Sequence, residues 1–144
     1  MLVKQILKAK GSNGVTTATP ETKVTDIAVI LTSQKIGVVV ISSDQKTAHG
    51  IVSERDIVRA IAERGMSSLG LVAADIMTCK VETCSRDATA DQILLIMSER
   101  RFRHMPVLEN NKLIGLITQG DVVKAKLSQL SMEKVAMENM IMGC

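Results

Sequence analysis

The sequence predicts an α/β fold built from two like halves and a helical tail, and three observations predict it. First, Gly50-Ile51-Val52-Ser53-Glu54-Arg55-Asp56-Ile57-Val58 is answered by Gly115-Leu116-Ile117-Thr118-Gln119-Gly120-Asp121-Val122-Val123 at a constant offset of 65. Second, the likeness continues upstream at an offset of 66, with Thr17 over Thr83, Ile27 over Ile93, Ile30 over Ile96, Leu31 over Met97 and Ile36 over Phe102. One single-residue indel between Ile41 and Gly50 reconciles the two offsets. Third, each half alternates short β-branched runs with apolar residues at helical spacing. A repeat this long exceeds most solenoid units and falls short of two roomy independent domains, which points to two half-domains packed face to face. A ligand is expected in the cleft between them.

Each half reads as strand, helix, strand, strand, helix. In the first, Val15 to Ala18 is a short strand ending before Pro20, and Val24, Ile27, Ala28, Ile30 and Leu31 recur at helical spacing, with Thr22 or Thr25 as the cap. Ile36 to Ile41 is a β-branched run buried on both faces, Ser42-Ser43-Asp44-Gln45 is a turn, and Gly50 to Ser53 is the returning strand. The helix from Glu54 to Arg64 stops at Gly65. In the second half, Lys80 to Thr83 is the first strand, Thr89 to Arg101 the helix, Arg103 to Leu108 the second strand, Glu109 to Lys112 the hairpin turn and Leu113 to Thr118 the third strand. The last helix then runs on past Asp121 to Gly143, about five turns beyond its counterpart. The divisions are residues 1–65 for the first repeat, 66–73 for the linker, 74–128 for the second repeat and 129–144 for the tail.

Composition narrows the class. The 144 residues are 46% hydrophobic, enough for a core, and no apolar run approaches the ~20 residues that cross a bilayer. The opening Met1-Leu2-Val3-Lys4-Gln5 carries no secretory h-region, so a cytoplasmic location is expected, with no membrane partner. Cys79, Cys84 and Cys144 are odd in number and lack zinc-ligand spacing, which makes them idle thiols and the chain metal-free. Net charge is +3, from 18 basic and 15 acidic residues that are interspersed. One Phe and no Trp or Tyr supply no base-stacking platform, so nucleic acid is a poor candidate partner.

The repeated hydroxyl and aspartate fall at a strand-to-helix turn. Free backbone N–H groups and the positive end of the helix dipole emerge there, and a carboxylate in the first turn can accept both hydroxyls of a vicinal diol such as ribose. A lone Thr118–Asp121 pair would be an ordinary cap and a first-turn acid, contributing ~0.5–2 and ~0.3–1 kcal/mol. Its recurrence as Ser53–Asp56 favours a ligand. His104 has no nucleophile with an orienting acid beside it, so no enzyme is expected.

On these residues the chain resembles tandem cystathionine β-synthase (CBS) domains, the pair often called a Bateman module. The signatures are Gly50 to Asp56, Gly115 to Asp121, Arg103-His104-Met105-Pro106-Val107 and Asp75-Ile76-Met77, and the likeness spans residues 2 to about 128. The resemblance implies two β-α-β-β-α units in pseudo-twofold symmetry, whose cleft takes adenosine compounds such as AMP, ATP, NAD(H) or S-adenosylmethionine. The stand-alone pair with a helical tail looks like small bacterial two-CBS proteins that bind AMP or NADH. It further implies that Asp121 and Asp56 hold ribose, that Thr118 and Ser53 sit beside phosphate or ribose, and that Thr83 and Thr17 line adenine with Leu116 and Ile51 flanking. Arg103 and His104 would meet phosphate, Met105 and Pro106 would wall the adenine, and Arg55 would cross to the phosphate of the second site.

Where the second half has Arg103, His104 and Pro106, the first has Gly37, Val38 and Val40. The second-repeat site is therefore expected to be complete, and the first-repeat site vacant or suited to an uncharged group. The expected function is a cytoplasmic adenine-nucleotide sensor that passes occupancy to an unidentified regulated partner. The resemblance implies association through the helical faces of the pair, and Val123, Leu127, Leu130, Met137 and Ile141, interrupted at Lys134, add to it, so a homodimer is expected with the tail contributing to the interface. The alternatives are a structural scaffold that self-associates through the tail and a nucleic-acid-binding protein.

Overall fold

Each half builds a three-stranded mixed sheet, and the computed structural model describes residues 1–11 and 15–142. In the first, β1 (Thr17–Ala18) lies parallel to β2 (Val38–Ile41), which pairs antiparallel with β3 (Gly50–Ser53). In the second, β4 (Cys84–Ser85), β5 (His104–Glu109) and β6 (Lys112–Thr118) repeat that order. All four residues of β2 are buried, as its unbroken aliphatic run requires. Helices α1 (Val3–Lys10) and α4 (Ala73–Ile76) lead the two halves. Helices α2 (Val24–Gln34) and α5 (Ala90–Arg100) connect the parallel strands, and α3 (Glu54–Arg64) and α6 (Gln119–Met142) follow the hairpins.

Neither leading helix is among the elements expected from the sequence, and the two are exchanged between the halves. Val3 and Ile6 of α1 pack with Ile93, Met97, Val107 and Ile117 in the second core. Ala73 of α4 packs with Ile27, Val39, Ile41 and Val52 in the first. Backbone bridges repeat the exchange, Leu2 pairing with Thr89 at the start of α5 and Val72 with Lys23 at the start of α2.

This exchange explains the glycine that opens each repeated motif. A Cβ on Gly50 would lie 2.6 Å from the backbone oxygen of Thr78, just past α4, and one on Gly115 would lie 2.9 Å from the Leu7 side chain of α1. The first obstacle is main chain, held by reciprocal hydrogen bonds between Ile51 and Thr78 of 3.1 and 2.9 Å; the second is a flexible tip. Gly50→Ala is accordingly expected to destabilise by about 1–3 kcal/mol and Gly115→Ala by less, as read from urea midpoints. Equal losses would remove this explanation.

Several boundaries differ from the sequence reading for identifiable reasons. In the first half the Val40 N–H donates to the Thr16 carbonyl at 3.1 Å. The matching residue is Pro106, which has no N–H, so the ladder to β4 begins at Cys84 rather than within Lys80–Thr83. Lys23, not Thr22 or Thr25, is the N-cap of α2; the Thr22 hydroxyl instead accepts the Thr19 N–H at 3.0 Å. The linker is a 3₁₀ turn over Gly65–Gly70, which Gly65 enters with φ 61° after closing α3. In the hairpin after β2, the Asp44 carboxylate accepts the N–H groups of Lys46 and Thr47 at 2.8 and 2.7 Å, a side-chain-closed turn.

Beyond Ala125, α6 leaves the core. Leu127 is 62% and Met137 63% exposed, so the tail does not fold back over its own module. Its expected end at Gly143, and the thiol of Cys144, lie outside the described residues.

Candidate functional site

The two hydroxyl–aspartate turns form as reciprocal caps. The Ser53 hydroxyl accepts the Asp56 N–H at 3.3 Å, while Asp56 Oδ2 accepts the Ser53 N–H at 2.8 Å and its hydroxyl at 3.1 Å. Asp56 is only 7% exposed, and its other oxygen lies 3.5 Å from the Arg59 guanidinium. In the second half the Thr118 hydroxyl accepts the Asp121 N–H at 3.1 Å, and Asp121 Oδ2 accepts the Thr118 N–H at 3.0 Å. Capping satisfies one edge of each carboxylate and leaves the rest facing a cleft.

Asp121 has a further partner that the sequence did not indicate. Lys10, at the end of the exchanged helix α1, places its ammonium 2.8 Å from Asp121 Oδ2 and 3.1 Å from the Leu116 carbonyl. Burial opposes ionisation of Asp121, but the Lys10 ammonium and the Thr118 N–H outweigh it and hold the carboxyl below its ordinary value. The corresponding carbonyl on β3, that of Ile51, is met instead by the Thr78 N–H.

Two clefts, of about 370 and 420 Å³, flank a shared waist at Gly37 and His104. Each combines the hydroxyl–aspartate turn of one half with the helix-to-strand corner of the other. Thr118 and Asp121 face Lys35, Ile36, Gly37 and Val38, with Lys10 alongside. Ser53 and Asp56 face Arg101, Phe102, Arg103 and His104, with Arg55 and Arg59 alongside. Gly37 leaves room at the waist: a Cβ there would sit 3.9 Å from His104 Nε2.

This crossing corrects the expected grouping. Arg103 lies in the cleft of Asp56, not that of Asp121, and Arg55 stays in its own half's cleft instead of reaching the second. The reason is the antisymmetric packing, which sets the corner ahead of each second strand opposite the other half's turn. The expected cation asymmetry is therefore reversed, and the first-repeat aspartate has the arginines. His104 contacts both clefts. Burial and the neighbouring Arg103 lower its pKa against the pull of Asp121, Asp56 and Glu54, so at neutral pH it is an uncharged imidazole, able to donate and accept.

The remaining expected residues are distributed unevenly. Ile51 lines the Asp56 cleft and Leu116 the Asp121 cleft. Met105 is wholly buried in the second core and Pro106 is buried beside it on β5, so neither lines a cleft as a wall for adenine. Thr17 faces a separate hollow with Thr16 and Leu113, and Thr83 is exposed just before β4. Cys79 and Cys84 are free thiols, and burial pushes that of Cys84 up to about 11. Among the described residues no group of three or more His, Cys, Asp or Glu side chains could hold a metal ion.

Paired repeats whose clefts each draw on both halves define a tandem-repeat module. The CBS domain family model matches residues 3–63 and 72–128, and the chain belongs to the CBS domain family as a tandem pair. It is similar to the CBS-domain containing protein ATU1752 from Agrobacterium tumefaciens, at 42% identity and a TM-score of 0.82, covering 88% of this chain and 99% of that one. It is similar to the CBS domain pair of protein MJ0100, at 25% identity and a TM-score of 0.78 over 90% of this chain and 98% of that one, a pair solved with 5′-methylthioadenosine and S-adenosyl-L-methionine. Among curated proteins it is 32% identical over 130 residues to the CBS domain-containing protein CBSX3, mitochondrial, of Arabidopsis thaliana, covering 85% of this chain and 63% of that protein. The chain spans 58 to 66% of the length of the curated relatives it matches first. No helix among the described residues is long and apolar enough to cross a membrane.

Proposed function

We propose that this chain is an adenine-nucleotide sensor, a non-enzymatic module that binds AMP, ATP or NAD(H) between its repeats and transmits occupancy to a partner protein in the cytoplasm. The observation that carries the reading is the hydroxyl–aspartate turn, formed twice and each time facing a cleft completed by the other half. Asp121 and Asp56 accept the ribose hydroxyls, Thr118 and Ser53 with the helix N-termini lie toward the phosphate, and Leu116 and Ile51 contact the base. The adenosine compounds bound by the MJ0100 pair support this ligand class. A ligand touching both halves favours the closed cleft by its differential affinity for closed and open states, and that difference is what a partner reads.

Mass spectrometry of small molecules released by heating the purified chain is the direct test. An adenosine compound in near-stoichiometric amount is expected. None, together with no calorimetric signal for AMP, ATP or NADH, would leave the scaffold reading in its place.

The exposed apolar side chains of α6 carry a further expectation, a homodimer. Leu127, Leu130, Val135 and Met137 are all about half exposed or more, and burying such surface is worth ~25 cal/mol per Å². Light scattering on the full chain and on a version ending at Ser128 should give a dimer and a monomer. A dimer from both assigns the interface to the repeats, and a monomer from both removes it.

A further inference from the structure

Because the clefts are crossed, each takes cations from the corner of the opposite half, and the two corners are unlike. Lys35 and Arg101 hold the same left-handed backbone, φ 55° and 58°, at the ends of α2 and α5. The difference therefore lies in side chains carried on equivalent main chain. One corner offers Lys35 followed by Ile36, Gly37 and Val38; the other offers Arg101 and Arg103.

In the Asp121 cleft, one of the two lysines is already committed, Lys10 to Asp121 at 2.8 Å. In the Asp56 cleft, Arg59 takes the equivalent part at 3.5 Å, which leaves Arg55, Arg101 and Arg103. Among the described residues none of these three makes an ion pair or a side-chain hydrogen bond. All three are exposed, and Glu54 and Asp56 are the only carboxylates lining that cleft. Unpaired guanidinium groups facing one space repel each other, and an anion among them relieves that repulsion in proportion to its charge. A guanidinium also presents its donors as a planar fork that matches phosphate oxygens. A single phosphate sets about two negative charges against these three guanidinium groups, whereas a chain of two or three phosphates carries more charge and spreads its oxygens along a longer row of donors.

Resting on the nucleotide reading above, we propose that Arg55, Arg101 and Arg103 are specificity-determining residues that make the Asp56 cleft select by phosphate-chain length, holding nucleoside 5′-di- and triphosphates in preference to monophosphates. Specificity then comes from the opposite half for Arg101 and Arg103, so this cleft exists only when the two halves are apposed. The site that sequence comparison of the halves leaves without a cation is the one with the greater anion capacity.

The test is calorimetry at fixed ionic strength, without divalent cations, using adenosine, AMP, ADP and ATP against the full chain and its Arg101→Gln, Arg103→Gln and Arg86→Gln variants. Arg86 lines neither cleft and pairs with Glu109 at 3.2 Å, so its variant controls for the loss of one positive charge. ATP is expected to bind the full chain at least about tenfold more tightly than AMP. Arg101→Gln and Arg103→Gln should each weaken ATP by about tenfold and AMP by less, and Arg86→Gln should change neither ligand. Equal affinity for AMP and ATP, or a preference that survives in both cleft variants, overturns the selection while leaving the nucleotide reading intact. If none of the four ligands binds, the nucleotide reading fails and the selection with it. Melting curves on each variant verify folding, which removal of an exposed arginine leaves unchanged.

Discussion

Ile6→Ala is expected to cost about 2–5 kcal/mol of stability, the largest effect of any single change considered for this chain. Ile6 is 4% exposed and sits in the second core with Ile93, Met97 and Ile117, although it belongs to the first few residues of the chain. Truncating it removes apolar contacts and leaves a cavity that the neighbouring strand β6 cannot fill by moving, because Gly115 there already lies close to Leu7. A urea titration of the variant and the parent measures the difference. Were α1 a loose arm, the substitution would be close to neutral, and a change under about 0.5 kcal/mol would show that the helix exchange does not hold in solution.

Asp121→Ala is expected to weaken AMP binding by about 1.5–3 kcal/mol, the worth of charge-assisted hydrogen bonds to the ribose hydroxyls. The Lys10 ammonium gives this measurement a second readout. With its carboxylate partner gone, Lys10 is free to meet phosphate, so adenosine should lose more than AMP. Calorimetry on both ligands separates the two effects, and unchanged affinity for both in a folded variant removes Asp121 from the ribose. Asp56→Ala is the poorer probe, since that carboxylate is nearly buried and closes the cap of α3 by accepting two hydrogen bonds from Ser53.

What the sequence made legible was what local chemistry decides. The aliphatic run of β2, the helix from Glu54 to Arg64 with its terminal Gly65, and the two hydroxyl–aspartate turns all follow from residues within a few positions of each other. The shift of β4 was legible in principle as well, because Pro106 announces a missing N–H. The exchanged helices were not. Within α1 only Val3, Ile6 and Leu7 mark an apolar face, and the core they enter is assembled from residues most of the chain away. The same distance concealed Lys10, whose contact with Asp121 has no local signal. It also misassigned Arg103, since comparing the halves residue by residue groups side chains by repeat, whereas the packing groups them across repeats.

The crossed placement of α1 also sets an order of events. This helix is synthesised before any strand of either sheet, yet the strands that receive it, β5 and β6, and the opening turns of α6 are made only after every element of the first half. Until they emerge, Val3 and Ile6 have no partner surface, and the loop that must close to seat them is nearly the whole chain. The second core is thus completed by a helix made well before its own strands, like a clasp whose earlier link closes last. Contacts this distant in sequence slow the final step of folding and tie the two halves into one cooperative unit, so neither half is expected to persist once the other has opened.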